Sequence, residues 1–189
     1  MADIITADLH LGHENILEYC KRPFATIEEH DDTIIDRINH ITRPNDRLII
    51  IGDVCMGDPA KYFTRIRCRN IMIIMGGHDY RRLSQFKAIK KIVIHDLKLY
   101  YINGQQPAVL CHYPILSWHA MRYNTWHLHG HAHGHLPWPL TKPLRNSLDV
   151  GIDVHGFLPW TEDQIREELA RRQDNSTEGD QEALEIDHT

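Results

Sequence analysis

Arg47-Leu48-Ile49-Ile50-Ile51-Gly52-Asp53 is the stretch on which the fold turns. Its isoleucine-rich run has the length and β-branched character of a buried strand, and Gly-Asp ends it with turn chemistry. Before it, Ile27–Ile41 repeats isoleucine at 27, 34, 35, 38 and 41, a helical period, and Thr26 with Glu29 forms a capping box at its start. After it, Ala60–Arg67 reads as a helix behind Pro59, and Ile71–Met75 as a strand ended by Gly76-Gly77. Further upstream, Ile4–Ala7 is a short buried strand running into Asp8-Leu9-His10.

The second half changes character. Ile92–Ile94, Leu97–Ile102 and Ala108–Cys111 read as consecutive strands, with turns at His95-Asp96 and Asn103-Gly104. Trp126–His129 and Leu148–Ile152 are further strands, and Thr161–Arg172 is a helix capped by Thr161 with two arginines at its end. A first half of β-α-β-α units followed by a strand-rich half predicts an α/β protein with two packed sheets and helices outside.

The chain of 189 residues has the length of one domain, and 42% hydrophobic with 25% charged residues is ordinary for a soluble globular protein. The formal charge of -5 comes mostly from residues 173–189, which hold six acids and no Lys or Arg; the body, 1–172, keeps 21 basic against 20 acidic residues. We therefore expect one domain over 1–172 and a disordered acidic tail over 173–189. A near-neutral body argues against strong binding to long duplex nucleic acid. Cys20, Cys55, Cys68 and Cys111 form no CxxC pair and read as free thiols. With no apolar run near the ~20 residues of a membrane span and no basic leader, the expected setting is cytoplasmic.

Histidine is the unusual component, at 15 copies, eight of them between His112 and His155. Asp8, His10, Asp53, His78, His112, His131 and His133 all fall at or just beyond the C-terminal end of an expected strand, where open α/β sheets place their ligand sites. Taken singly, each has a plainer reading: Asp-x-His and Gly-Asp are common turns, and a lone His112 after a strand is usually a satisfied side chain. The run His127-Leu-His129-Gly-His131-Ala-His133-Gly-His135 would put alternate imidazoles on one face of an extended segment, or else be a non-specific metal-scavenging tract. Together, imidazoles and carboxylates suit borderline divalent ions, and a pair of ions can activate water and orient a phosphoryl group. His78, on a glycine loop, suits the acid needed by the leaving oxygen.

At this point a family resemblance emerges. Asp8-Leu-His10, Gly52-Asp53, Gly76-Gly77-His78-Asp79, His112 and Gly130-His131-Ala-His133 resemble, in order and spacing, the five signature blocks of calcineurin-like metallophosphoesterases. The resemblance runs from Asp3 to Ile165, and Leu11-Gly-His13-Glu-Asn15-Ile16 and Cys111-His112-Tyr113-Pro114-Ile115 look like its small bacterial and phage branch. It implies a four-layer αββα sandwich of two mixed sheets. It also implies a binuclear centre with a bridging hydroxide, in which Asp8, His10 and His133 hold one ion, His112 and His131 the other, and Asp53 bridges. His78 would protonate the leaving group or steady the phosphate, with Asp79 orienting its ring. Manganese is the expected ion, with iron, zinc, nickel or magnesium as alternatives. Arg22, in a Lys-Arg-Pro-Phe stretch similar to a loop of this branch, would touch phosphate; a surface arginine is the simpler reading.

One position departs from the family. Gly77 stands where the family has an asparagine whose side chain ligates the second metal and contacts the phosphate. Water could complete that coordination, or His13 or His127 could substitute, or the chain could be an impaired metal- or phosphate-binding module. His129 and His135 have no role in the family pattern, although alternation would turn His129 toward His131 and His133; Asp153 and His155 could border the pocket. Gly52-Asp53-Val-Cys-Met-Gly57-Asp58 lacks the arginine of the serine/threonine phosphatases, which disfavours that substrate class. The expected substrate is a small phosphodiester: a nucleotide, a cyclic nucleotide or a nucleic-acid end. A histidine-rich metal store is the reading of a different class, and it predicts loose binding of several ions.

Overall fold

Isoleucine on both faces of a five-residue segment suits a strand covered on both sides. In the computed structural model, which describes residues 1–135 and 143–172, that segment is β2 (Arg47–Ile51) at the middle of a five-stranded sheet. It pairs in parallel with β1 (Asp3–Thr6) and β3 (Asn70–Ile74), so that Ile49 lies between Ile5 and Met72. β4 (Ile92–His95) extends the parallel run beyond β3, and β9 (Trp160–Thr161) adds an antiparallel edge beside β1. The second sheet has the order β5 (Leu97–Ile102), β6 (Gln106–Cys111), β7 (Trp126–His129), β8 (Ser147–Asp149); only the β5–β6 pair is antiparallel.

The side-chain alternation of β2 divides the core. After the short α1 (Ile16–Tyr19) come the helices of the core: Leu48 and Ile50 pack with Ile34, Ile35 and Ile38 of α2 (Ile27–Ile41), Phe63 of α3 (Pro59–Phe63) and Phe86 of α4 (Leu83–Ala88). Ile49 and Ile51 face the other way, against Ala108, Leu110, Leu128 and Leu148 of the second sheet. The chain is thus an α/β sandwich of two mixed sheets. α2 starts as its sequence implies: Thr26 Oγ1 accepts from Glu29 N at 3.2 Å, while the Glu29 carboxylate reaches back to Ala25 N at 2.8 Å. A last helix over 162–172 is capped by Thr161, which exchanges bonds with Gln164, and puts Ile165 and Leu169 into the inter-sheet core.

Several local expectations shift. β4 does not form a meander with β5; it joins β3 in the first sheet because Ile92 and Ile94 pack on the helical side, and the chain crosses to the second sheet at Asp96. α3 ends at Phe63 instead of Arg67: Asn39 of α2 binds Arg65 O and Arg67 N, and Lys91 Nζ takes Phe63 O and Ile66 O, so that backbone is satisfied outside a helix. β8 stops at Asp149, whose carboxylate accepts from Gly151 N and turns the chain. On the second sheet, Trp118 of the 113–125 loop packs on His127 of β7 at 5.2 Å. All four cysteines are free. No helix among the described residues is long and apolar enough to cross a membrane. The acidic stretch 173–189 lies outside the described residues.

Candidate metal centre

The parallel strands β1 to β3 end side by side, as do β6 and β7, and each end delivers a polar residue into one region. Just past them the backbone turns sharply. Asp8, His10, Asp53, His131 and His133 have φ between 46° and 69°, left-handed conformations that non-glycine residues seldom adopt. Each costs on the order of 1 kcal/mol, and such strain collects at functional sites. Pairings between the strand-end loops hold it in place: Asp8 N donates to Gly52 O at 3.1 Å, and His10 N to Asp53 O at 2.9 Å. Gly52 and Gly130 permit the crowding, since a Cβ on the first would overlap the His112 imidazole and one on the second would press on Ala7 and the Asp8 carboxylate.

Two triads result. Asp8, His10 and His133 offer ligand atoms within 4.8 Å of one another, and so do Asp53, His112 and His131. Asp53 lies between them, with Oδ2 3.8 Å from His10 Nε2, 3.5 Å from His112 Nε2 and 3.9 Å from His78 Nε2. These separations are too long for hydrogen bonds and match those of donors sharing a cation. The buried Nε2 atoms of His10 and His112 have no hydrogen-bond partner. His112 Nδ1 lies 3.1 Å from Ile51 O, a bond that places the proton on Nδ1 and leaves the Nε2 lone pair facing Asp53. Burial is the first cause holding both imidazoles below their usual range; Arg22 and His133 add to it for His10, while Asp53 opposes it for His112. Both are therefore neutral and ready to ligate. Burial, then Asp149 and Asp53, push the Asp8 carboxyl well above its ordinary value, although His131 N–H donates to it at 2.9 Å. Crowded carboxylates and orphaned neutral imidazoles fit divalent cations.

The surrounding groups correct several expectations. Arg22 is neither exposed nor turned toward a substrate: it is 4% exposed, and its donors go to Asp153 (2.8 and 2.7 Å), Asp8 O, Leu9 O and His30 Nε2. Asp153 in turn binds His133 Nδ1 at 2.7 Å, and His30 Nδ1 binds Asp31 at 2.9 Å. A buried polar chain from α2 thus fixes the ring of His133, the arrangement that orients metal-bound histidines. Asp79 does not orient His78. Its carboxylate accepts from Asp53 N (2.8 Å), Val54 N (2.9 Å) and Gly76 N (2.8 Å), so it secures the backbone that carries Asp53 and the glycine loop. His78 itself is half-exposed at the mouth, its backbone N donating to Asp53 Oδ1 at 3.1 Å.

Histidine alternation breaks after His129, because His131 and His133 lie in a turn. His129 is buried with Nδ1 on Gly130 O at 3.0 Å, and it belongs to neither triad. His127 cannot stand in for the side chain Gly77 lacks, since Val109 O and Ile115 N occupy both its nitrogens. His13 sits beside the first triad, Nδ1 to Nδ1 3.4 Å from His10. His155 stacks on Trp160 at 3.8 Å, whereas Asp153 does border the site. His135 lies just past the turn, exposed. Three further residues lie near the triads: Asp149 and Cys20 had no motif to reveal them, and Tyr113 stood in the Cys111–Ile115 block without a role. Asp149 presses on Asp8, Cys20 Sγ lies 3.4 Å from His133 Nδ1, and Tyr113 packs its ring 4.8 Å from both His112 and His131. The Tyr113 hydroxyl is the group nearest to where a Cβ on Gly77 would lie, at 3.0 Å.

No protein-family model matches the chain. It is 29% identical over 167 residues to the uncharacterized protein MJ1445 of Methanocaldococcus jannaschii, covering 85% of this chain and 87% of that protein. The gene 66 protein of Mycobacterium phage L5 is 24% identical over 183 residues, covering 81% and 87%. Among solved structures, the protein of unknown function AQ665 from Aquifex aeolicus superposes with a TM-score of 0.65 at 19% identity, over 87% of this chain and 97% of that one. The last likeness shows a shared α/β fold, and none of the three names carries an activity.

Proposed function

We propose that the chain is a two-metal phosphoester hydrolase of the calcineurin-like kind, acting on phosphodiesters in preference to monoesters. The observation carrying this reading is the meeting of Asp8, His10 and His133 with Asp53, His112 and His131 around one shared carboxylate, the same sets that the resemblance implies. The two-sheet core with its helices is compatible with the four-layer αββα sandwich. Two divalent ions, when bound, supply an activated water and positive charge opposite the phosphoryl oxygens. The mixed imidazole and carboxylate donors favour manganese, with iron, zinc, nickel and magnesium as alternatives.

The chain's own residues divide the remaining work. Asp53 ties the two triads together, and Asp79 holds its backbone in the left-handed turn. His78 stands over the triads, its ring 5.7 Å from that of His10, where its imidazole can hand a proton to the departing ester oxygen. Tyr113 presents its hydroxyl beside Gly77 across the mouth of the second triad. His78, His131 and Tyr113 are exposed, so the mouth is open to an ester substituted on both sides, such as a cyclic nucleotide or the last linkage at a nucleic-acid end. A second reading, a metal- or phosphate-binding module without turnover, is favoured by one observation: Gly77 brings no side chain to the second triad.

Metal-stripped protein given manganese, with bis-p-nitrophenyl phosphate and p-nitrophenyl phosphate as substrates, separates the two. We expect manganese-dependent cleavage, faster on the diester, that drops by roughly 10²-fold or more in His78→Ala. Bound manganese with no turnover of either ester would replace this reading with the binding module. Loose uptake of several ions would point to a metal store.

A further inference from the structure

Away from the metal centre, the edges of the two sheets part. β4 ends the first sheet and β5 the second, and between them lies a cleft of about 380 Å³. Its lining includes Arg47, Arg69, Lys90, Lys91 and Lys98 and no carboxylate. Five cations in one cleft stand out in a body, 1–172, of 21 basic and 20 acidic residues.

Two of the five are already engaged. Arg47 bonds the Tyr100 hydroxyl and lies 3.6 Å from Asp3, and Lys91 Nζ donates to Phe63 O and Ile66 O at 2.7 Å. Arg69, Lys90 and Lys98 have no acidic partner among the described residues. Three uncompensated cations attract an anion with more than one charge. Tyr100 and Val93 give the same cleft an apolar wall, with Val93 56% exposed. Cations beside an aromatic ring and an exposed apolar side chain suit the phosphates and bases of a nucleotide chain.

We propose that this cleft binds single-stranded nucleic acid along its phosphates, with Arg69, Lys90 and Lys98 as the main contacts. His95, at its upper end, pairs in register with Ile74, just below Gly76 and the metal centre. From Lys91 to His95 the β4 side of the cleft spans roughly 13 Å at ~3.3 Å per residue, the length of about two nucleotides. Binding at the cleft needs no metal; that the bound strand is also the substrate rests on the phosphodiesterase reading.

The test is fluorescence anisotropy of a fluorescein-labelled single-stranded oligothymidylate with the full chain in EDTA, over a salt series. We expect binding that weakens with salt and falls roughly tenfold or more in Lys90→Glu/Lys98→Glu, with the salt slope lowered by about 0.7 for each phosphate no longer neutralised. Lys61→Glu, on α3, should leave affinity unchanged. Manganese-dependent hydrolysis of bis-p-nitrophenyl phosphate should be unchanged in all variants, which separates a failed cleft from a failed metal centre. If the double reversal unfolds the chain, Lys90→Gln/Lys98→Gln is measured in its place, with a smaller drop in affinity expected. No binding at low salt overturns the proposal, as does equal binding by the reversed-charge or glutamine variants. Displacement by inorganic triphosphate at matched phosphate concentration also overturns it, in favour of a small-polyanion site.

Discussion

At Gly77 a Cβ would meet only the Tyr113 hydroxyl, 3.0 Å away, and the backbone there does not have a left-handed φ. Asparagine therefore fits if the half-exposed phenol swings aside. Gly77→Asn is expected to tighten manganese at the second triad by about tenfold, the size of a ligand-tuning interaction, and to raise turnover. Calorimetric titration with manganese reads the first effect, and unchanged affinity together with unchanged rate would mean that the loop does not face the ion. Asp153 offers a second test. It holds both Arg22 and His133, so Asp153→Asn should weaken first-triad metal binding by roughly 10–100-fold and leave a buried guanidinium short of its counter-charge. Full metal affinity in that variant would show that the polar chain from α2 is structural only.

Strand ends, more than strands, carry the chemistry. The isoleucine runs of β2 and β3 are written locally, and their C-terminal glycines mark where side chains turn to the site; these were legible from residue order. The pairing of β4 was not, because an apolar stretch of three residues suits either sheet until Ile92 and Ile94 find the helices. β7 carries a further prediction. His127 is buried with both nitrogens bonded, and burial, with His129, lowers its pKa to about 4. Between an unfolded value near 6.5 and that folded value, the unfolded chain binds a proton that the folded chain does not. Acidification through this window therefore destabilises the fold, by roughly 3 kcal/mol once pH 4 is reached, with nothing lost above about 6.5. Urea unfolding in EDTA from pH 7 to 4 should show this loss in the parent relative to His127→Gln. Parallel pH curves for the two proteins would rule it out.

Across the whole molecule, Asp8, Asp53, Asp149 and Asp153 converge in the interior with Arg22 as the buried counter-charge. Bound cations would offset that repulsion, so metal and fold should be linked. At a hundredfold excess over Kd, manganese should add about 2.7 kcal/mol, a rise of roughly 5–10 °C in Tm that EDTA reverses. Calorimetry that shows no shift with saturating manganese would argue against the triads as its site. The basic cleft belongs to this scale too: counting charge over 1–172 gave a near-neutral body, yet folding gathers Arg47, Arg69, Lys90, Lys91 and Lys98 on one side.

Residue order by itself determined the strand and helix cores and the capping of α2, because β-branched runs and glycine turns are local properties; the six triad residues were named only through the resemblance of five separated blocks to a known family. Only the tertiary structure decided what the other polar groups do. Arg22 meets Asp153 across 131 positions, and Asp79 reaches back 26 to hold Asp53 N. His127 and His129, neighbours of the triads in sequence, are diverted into backbone bonds. A buried donor or acceptor must find a partner, and that partner is set by which strands lie side by side, not by the residues on either side of it in the chain.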